Sequence, residues 1–118
     1  MILRELIERL ALSKEPDYDV DLDIMKYYGF CDESCFRNGI HYTTPGYTFP
    51  LTITNFTGSV DCAIKLLPKG FNILRIENKN NNWKCEVINE NNRMWEGSHK
   101  ILSVAILLAI FGIKKDEG

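Results

Sequence analysis

The run from Ile101 to Ile113 limits the fold more than any other stretch of this chain. From Ile101 to Phe111 its only non-apolar residue is Ser103. Thirteen residues fall short of the roughly 20 that a bilayer-spanning helix needs. As a helix the run is apolar on every side, and such a helix must be covered on more than one of them. Two covers are open: the first helix and a sheet of the same chain, or a second subunit. Ser98 is a good N-cap, and Lys114 and Lys115 suit a helix C-terminus. The expected helix therefore opens at Ser98 and closes near Lys115.

The rest of the chain supplies candidates for that cover. Ile2, Leu3, Leu6, Ile7 and Leu10 recur at helical spacing, opposite Arg4, Glu5, Glu8 and Arg9, which predicts an amphipathic helix over 2–12. A second short helix is expected from Asp19 to Tyr28, with Val20, Ile24 and Tyr27 inward and an acidic first turn. Ser59 can cap a helix over Val60–Leu67, ended by Pro68. Beyond Gly70, Phe71, Ile73 and Leu74 or Ile76 suggest a strand, and Trp83, Cys85 and Val87 alternate with polar neighbours. The polar turn at 78–82 makes these two runs an antiparallel hairpin with one face on the core. A brief strand around Met94 and Trp95 can follow. The fold class is α+β, with a mostly antiparallel sheet and a long apolar C-terminal helix. Residues 30–56 hold Phe36, Tyr42, Tyr47, Phe49 and Phe56 among glycines and prolines. So long a connection is uncommon unless it is functional, so this stretch is the expected lid or pocket wall.

Several functions are disfavoured. A net charge of −2 and the lack of any basic run speak against binding a nucleic-acid polymer. The opening MILRELIERL has charges where a secretory leader needs an apolar stretch, so an intracellular, cytoplasmic protein is expected, with no membrane partner. Cys31 and Cys35 lack a second ligand pair for zinc, and Cys62 and Cys85 stand alone. In that setting reduced cysteines are expected, and no metal. Asp17, Asp19, Asp21 and Asp23 do not make a calcium loop, because its sixth and twelfth positions would be Leu22 and Tyr28. No serine-histidine-aspartate set, phosphate loop or dinucleotide motif can be read. Neither His41 nor His99 has local support as a base for a thiol, so no catalytic residue and no cofactor is expected.

Two helix starts invite an anion, since unpaired N–H groups and a partial positive charge gather at such ends. One is Thr57-Gly58-Ser59. The other is Gly97-Ser98-His99, which follows Arg93 and Trp95. An indole for stacking and an arginine for phosphate would suit a nucleotide there; ordinary caps and a core tryptophan are the plainer alternative.

The run Phe56-Thr57-Gly58-Ser59-Val60-Asp61-Cys62-Ala63-Ile64-Lys65-Leu66-Leu67-Pro68-Lys69-Gly70-Phe71 resembles the signature of the phage ABA-sandwich domain family. Tyr28-Gly29-Phe30 and the alanine- and leucine-rich run Ser98–Phe111 resemble its flanking segments. The sequence departs from the family pattern at His99-Lys100, where Thr-Pro is usual, and at Cys62-Ala63, where Ala-Ala is usual. The resemblance implies a single domain over 1–118, a small α-β-α sandwich of phage or prophage origin without enzymatic activity. By analogy it implies a counter-defence sponge that binds and sequesters a nucleotide-derived host immune signal, either a cyclic ADP-ribose derivative or a cyclic dinucleotide. Such a sponge would act in the host cytosol and would be a homo-oligomer. In that role Tyr47 and Trp95 would stack on a base, and Arg93, Thr57, Ser59, Ser98 and His99 would meet phosphates and ribose hydroxyls. A protein-interaction module gripping a partner through the last helix or the aromatic loop is the alternative. A second is an enzyme degrading the same signals with His41 or His99 as base.

Overall fold

A computed structural model describes residues 3–28 and 55–117. In chain order the elements are α1 (Leu3–Leu12), α2 (Tyr18–Tyr27), α3 (Val60–Ile64), β1 (Phe71–Lys79), β2 (Asn82–Asn89), β3 (Met94–His99) and α4 (Leu102–Glu117). Residues 30–54 of the aromatic-rich connection, with Tyr47, His41, Cys31 and Cys35, lie outside the described residues, while its last aromatic, Phe56, is buried in the core.

The three strands form an antiparallel meander in the order β1-β2-β3. The first turn is made by Asn80 and Asn81 alone, both at positive φ (56° and 63°), between the paired residues Lys79 and Asn82. That is the two-residue turn whose twist matches a hairpin, and asparagine tolerates its left-handed backbone well. In the second turn the Asn89 side chain accepts from the N–H groups of Asn91 and Arg93. The register of β1 on β2 slips between Ile73 and Arg75. This bulge accounts for the irregular apolar spacing of β1, because the extra residue carries the inward set from Phe71 and Ile73 across to Ile76.

The C-terminal helix differs from its expected start. It begins at Leu102, not Ser98, and Ser98 and His99 belong to β3, paired with Lys84 and Trp83. β3 is correspondingly longer than the brief strand expected around Met94. The helix α3 stops at Ile64, three residues before Leu67. Its continuation tightens into turns in which Leu66 and Leu67 donate to the carbonyls of Ala63 and Ile64. Pro68 disfavours helical geometry at the residue before it, which explains the early stop.

α4 is the centre of the described structure. It packs on β2 and β3 and also on α1 and α3. Val104, Ala105, Ile106, Leu107, Ala109, Ile110, Phe111 and Ile113 are all fully buried. The cover that its all-round apolarity demands thus comes from the same chain, and the case for a second subunit across this helix falls away. α4 meets β3 at unusually short range. A Cβ added at Gly97 would lie 2.1 Å from the Ala105 carbonyl oxygen and 2.6 Å from the Ala109 nitrogen. Ala105, Ala109 and Gly112, spaced i, i+4, i+7, line one side of the helix; Gly112 lies against the Trp95 ring.

The N-terminal helices close the other side. Leu6 and Leu10 of α1 and Val20, Ile24 and Met25 of α2 join the core. Arg9 and Asp23 form an ion pair between the two helices. Tyr27 and Tyr28 set their rings against Phe111 of α4.

Candidate functional site

Seven positions are expected from the sequence to meet a ligand. Tyr47 lies outside the described residues, and the other six fall in three separate places.

Thr57 is fully buried and is spent on the fold. Its N–H donates to Asp21 Oδ1 at 2.8 Å, its hydroxyl accepts from the Asp17 N–H at 2.8 Å, and its carbonyl accepts from the Ser103 hydroxyl. The knot ties the start of α2, the approach to α3 and the first turn of α4 together. Burial raises the carboxyl pKa of Asp21, and the hydrogen bonds from Thr57 pull the other way. The acidic run thus divides its labour: Asp17 caps α2 through the N–H groups of Asp19 and Val20, whereas Asp21 anchors Thr57. Ser59 caps α3, accepting from the Cys62 N–H at 3.3 Å.

Arg93 and Trp95 do come together, at the far end of α4 from Ser98 and His99. Both donate to the same Asp116 oxygen, Arg93 Nη2 at 2.8 Å and Trp95 Nε1 at 2.7 Å. The guanidinium also lies 4.8 Å from the centre of the Trp95 ring. The indole rests on Phe71 and is half-buried. Because α4 climbs about 1.5 Å per residue, Asp116 lies roughly 20 Å from the helix start. Arg93 and Trp95 therefore stand at the other end of α4 from Ser98 and His99. The cause is the strand geometry of β3, which runs antiparallel to α4 and carries residues 93–95 and 98–99 to its opposite ends.

Ser98 and His99 border a cleft of about 540 Å³ between the end of α1 and the β3–α4 corner. Ala11, Leu12, Ser13, Lys14, Asn82 and Lys100 complete its lining. The Nδ1 nitrogen of His99 is engaged by the backbone. Nδ1 accepts from the Ile101 N–H at 3.0 Å, which leaves the proton of the neutral ring on Nε2. The backbone of Ser13 and Ala11 lies near the ring as well. Burial lowers the pKa of His99; the α1 backbone raises it, and the charge of Lys100 lowers it further. The imidazole is a neutral strut joining α1 to the start of α4. Ser98 is exposed at the rim of the cleft, and Lys14 and Lys100 are the two basic residues of its lining. No carboxylate of the described residues lines it. Sequence reasoning misses Lys14, Lys100 and Asn82, since nothing local joins residue 14 or 82 to residue 100.

The remaining reactive groups are subdued. Cys85 is fully buried, and burial pushes its thiol up to about 11. Burial also raises the Tyr28 phenol to about 12. Among the described residues no group of three or more histidine, cysteine or carboxylate side chains is placed to hold a metal. No helix among them is long and apolar enough to cross a membrane. Comparison with family models, with curated proteins and with solved structures finds no match to this chain.

Proposed function

We propose that the chain is a non-catalytic binding protein that sequesters a nucleotide-derived signal, of the cyclic ADP-ribose type or a cyclic dinucleotide, as a phage counter-defence sponge in the host cytosol. The observation that supports this most is the carboxylate-free cleft at the end of α1, where Lys14, Lys100, Ser98 and Asn82 converge. Two ammonium groups, a hydroxyl and an amide are the donors that phosphate and ribose oxygens need. In this reading His99 holds the corner in shape, Thr57 and Ser59 support the fold from behind, and Tyr47 is the stacking aromatic. Arg93 and Trp95, held by Asp116 at the far end of α4, stand outside this cleft. The α-β-α sandwich of a phage ABA-sandwich domain belongs to the same proposal, and it requires helical cover on the sheet face turned away from α4.

The test is to incubate the protein with extracts of cells whose nucleotide-based defence is active, denature it by heat, and analyse what is released by mass spectrometry. An intact nucleotide is expected. A processed nucleotide would show an enzyme, and no nucleotide would favour a protein-interaction module. With a released nucleotide in hand, calorimetry on Lys14→Glu/Lys100→Glu is expected to show affinity weakened about a hundredfold, the scale of losing two charge-assisted contacts. Unchanged affinity in a folded double variant would remove the cleft from the proposal.

A further inference from the structure

The strand β1 forms one edge of the sheet; among the described residues it pairs only with β2. The two-residue turn decides which of its backbone groups are already used. Lys79 and Asn82 close that turn, and the closing pair of such a hairpin is a hydrogen-bonded one. Counting back in twos, Lys79, Glu77 and Arg75 direct their N–H and C=O groups at β2. Asn78 and Ile76 direct theirs outward, and the alternation stops at Leu74, the extra residue of the bulge. The same stretch carries two of the large exposed hydrophobic side chains of the molecule, Leu74 at 49% and Ile76 at 37% exposure. The bulge between Ile73 and Arg75 makes Leu74 the extra residue, whereas Ile76, paired with the fully buried Cys85, stands at the rim of the inward face. Arg75, exposed, and Glu77, half-buried, lie on the other face 3.8 Å apart, and Arg75 also pairs with Glu86 at 3.9 Å.

We propose that β1 is a dimerisation edge, pairing antiparallel with β1 of a second copy of this chain about a two-fold axis at Ile76. The register follows from two independent constraints. The axis must fall on a residue whose backbone points outward, which Ile76 does, so that Ile76 exchanges both hydrogen bonds with its own counterpart. Charge supplies the other constraint. With the axis at Ile76, Arg75 stands opposite Glu77 of the second copy and Glu77 opposite its Arg75, in the closely spaced non-hydrogen-bonded positions where side chains interact most. An axis at Arg75 or at Glu77 would set like charges face to face. An axis at Asn78 runs out into the Asn80–Asn81 turn. The Ile76 side chains of both copies meet on the other face, and the bulge at Leu74 ends the paired run. Among the described residues α4 packs on β2 and β3, and no described helix covers this edge. The product is a continuous six-stranded sheet with closed two-fold symmetry.

This inference is independent of what the cleft binds. The test is sedimentation equilibrium of the full chain at micromolar concentration, with circular dichroism to verify folding. A species of twice 13.6 kDa is expected. Ile76→Lys, at an exposed position, is expected to weaken the dimer about tenfold or more. Glu77→Arg sets arginine against arginine and is expected to do the same, and Arg75→Glu/Glu77→Arg exchanges the two charges and is expected to restore association. A wild-type monomer throughout this range overturns the proposal. So does a dimer that a folded Ile76→Lys variant leaves intact, whatever the charge variants do. A dimer weakened by Glu77→Arg and not restored by the exchange overturns the register.

Discussion

His99 shows how one side chain can serve the fold while standing in the place of a ligand contact. Its Nδ1 receives the Ile101 N–H only while that nitrogen is unprotonated. Burial lowers its folded pKa below 6.5, so as pH falls the unfolded chain takes up the proton first. The stability that neutral His99 provides is complete above about pH 6.5 and declines as pH drops through that value towards the lower folded one. Thermal melts between pH 7.5 and 5 are expected to show that decline. The variant His99→Asn, whose amide oxygen can replace Nδ1 as acceptor and does not titrate, should lose it. Asp21 is displaced in the opposite sense, its pKa raised by burial, so it favours the folded state as pH falls and works against the His99 trend. Equal pH slopes for the wild type and His99→Asn would show that the imidazole is not the responsible group.

At the scale of elements, the contact between α4 and β3 is the most demanding. A methyl group at Gly97 meets helix backbone, not a side-chain tip that can turn aside. Gly97→Ala is expected to push the helix off the strand at a cost at the upper end of about 1–3 kcal/mol, read as a drop in urea midpoint. A variant as stable as the wild type would mean that the helix slides without penalty. The elements themselves differ in how plainly the sequence announces them. α1, α2 and the β1–β2 hairpin carry one-sided apolar periodicity and lie close to their expected bounds. β3 carries little such signal: its covered residues include Gly97 and His99, and its exposed ones Met94 and Glu96. Without alternation, Ser98 looks like a helix cap, and the strand is cut short. The site suffered for the same reason. Arg93 and Trp95 are near Ser98 in sequence, but strand geometry takes them to opposite ends of α4. Thr57 looks free for a ligand because its partners Asp21 and Ser103 are 36 and 46 residues away.

On the scale of the whole molecule, the placement of α4 between the sheet and the N-terminal helices has a consequence for how the chain assembles. β2, β3 and α4 are consecutive, and α4 docks on the strand just before it, so this half closes with short loops alone. α1 and α3 must find α4 across a greater stretch of chain, and they have little apolar surface to rest on until it is in place. Loop-closure entropy favours contacts near in sequence, so the C-terminal half should be the nucleus on which the N-terminal half condenses. Pulse-labelled hydrogen exchange during refolding is expected to protect amides of β2, β3 and α4 before those of α1 and α2. Earlier protection of α1 would reverse the order. A ligand at the α1–β3 corner would then bind across the last seam to close, and would stabilise the chain most against its first step of opening.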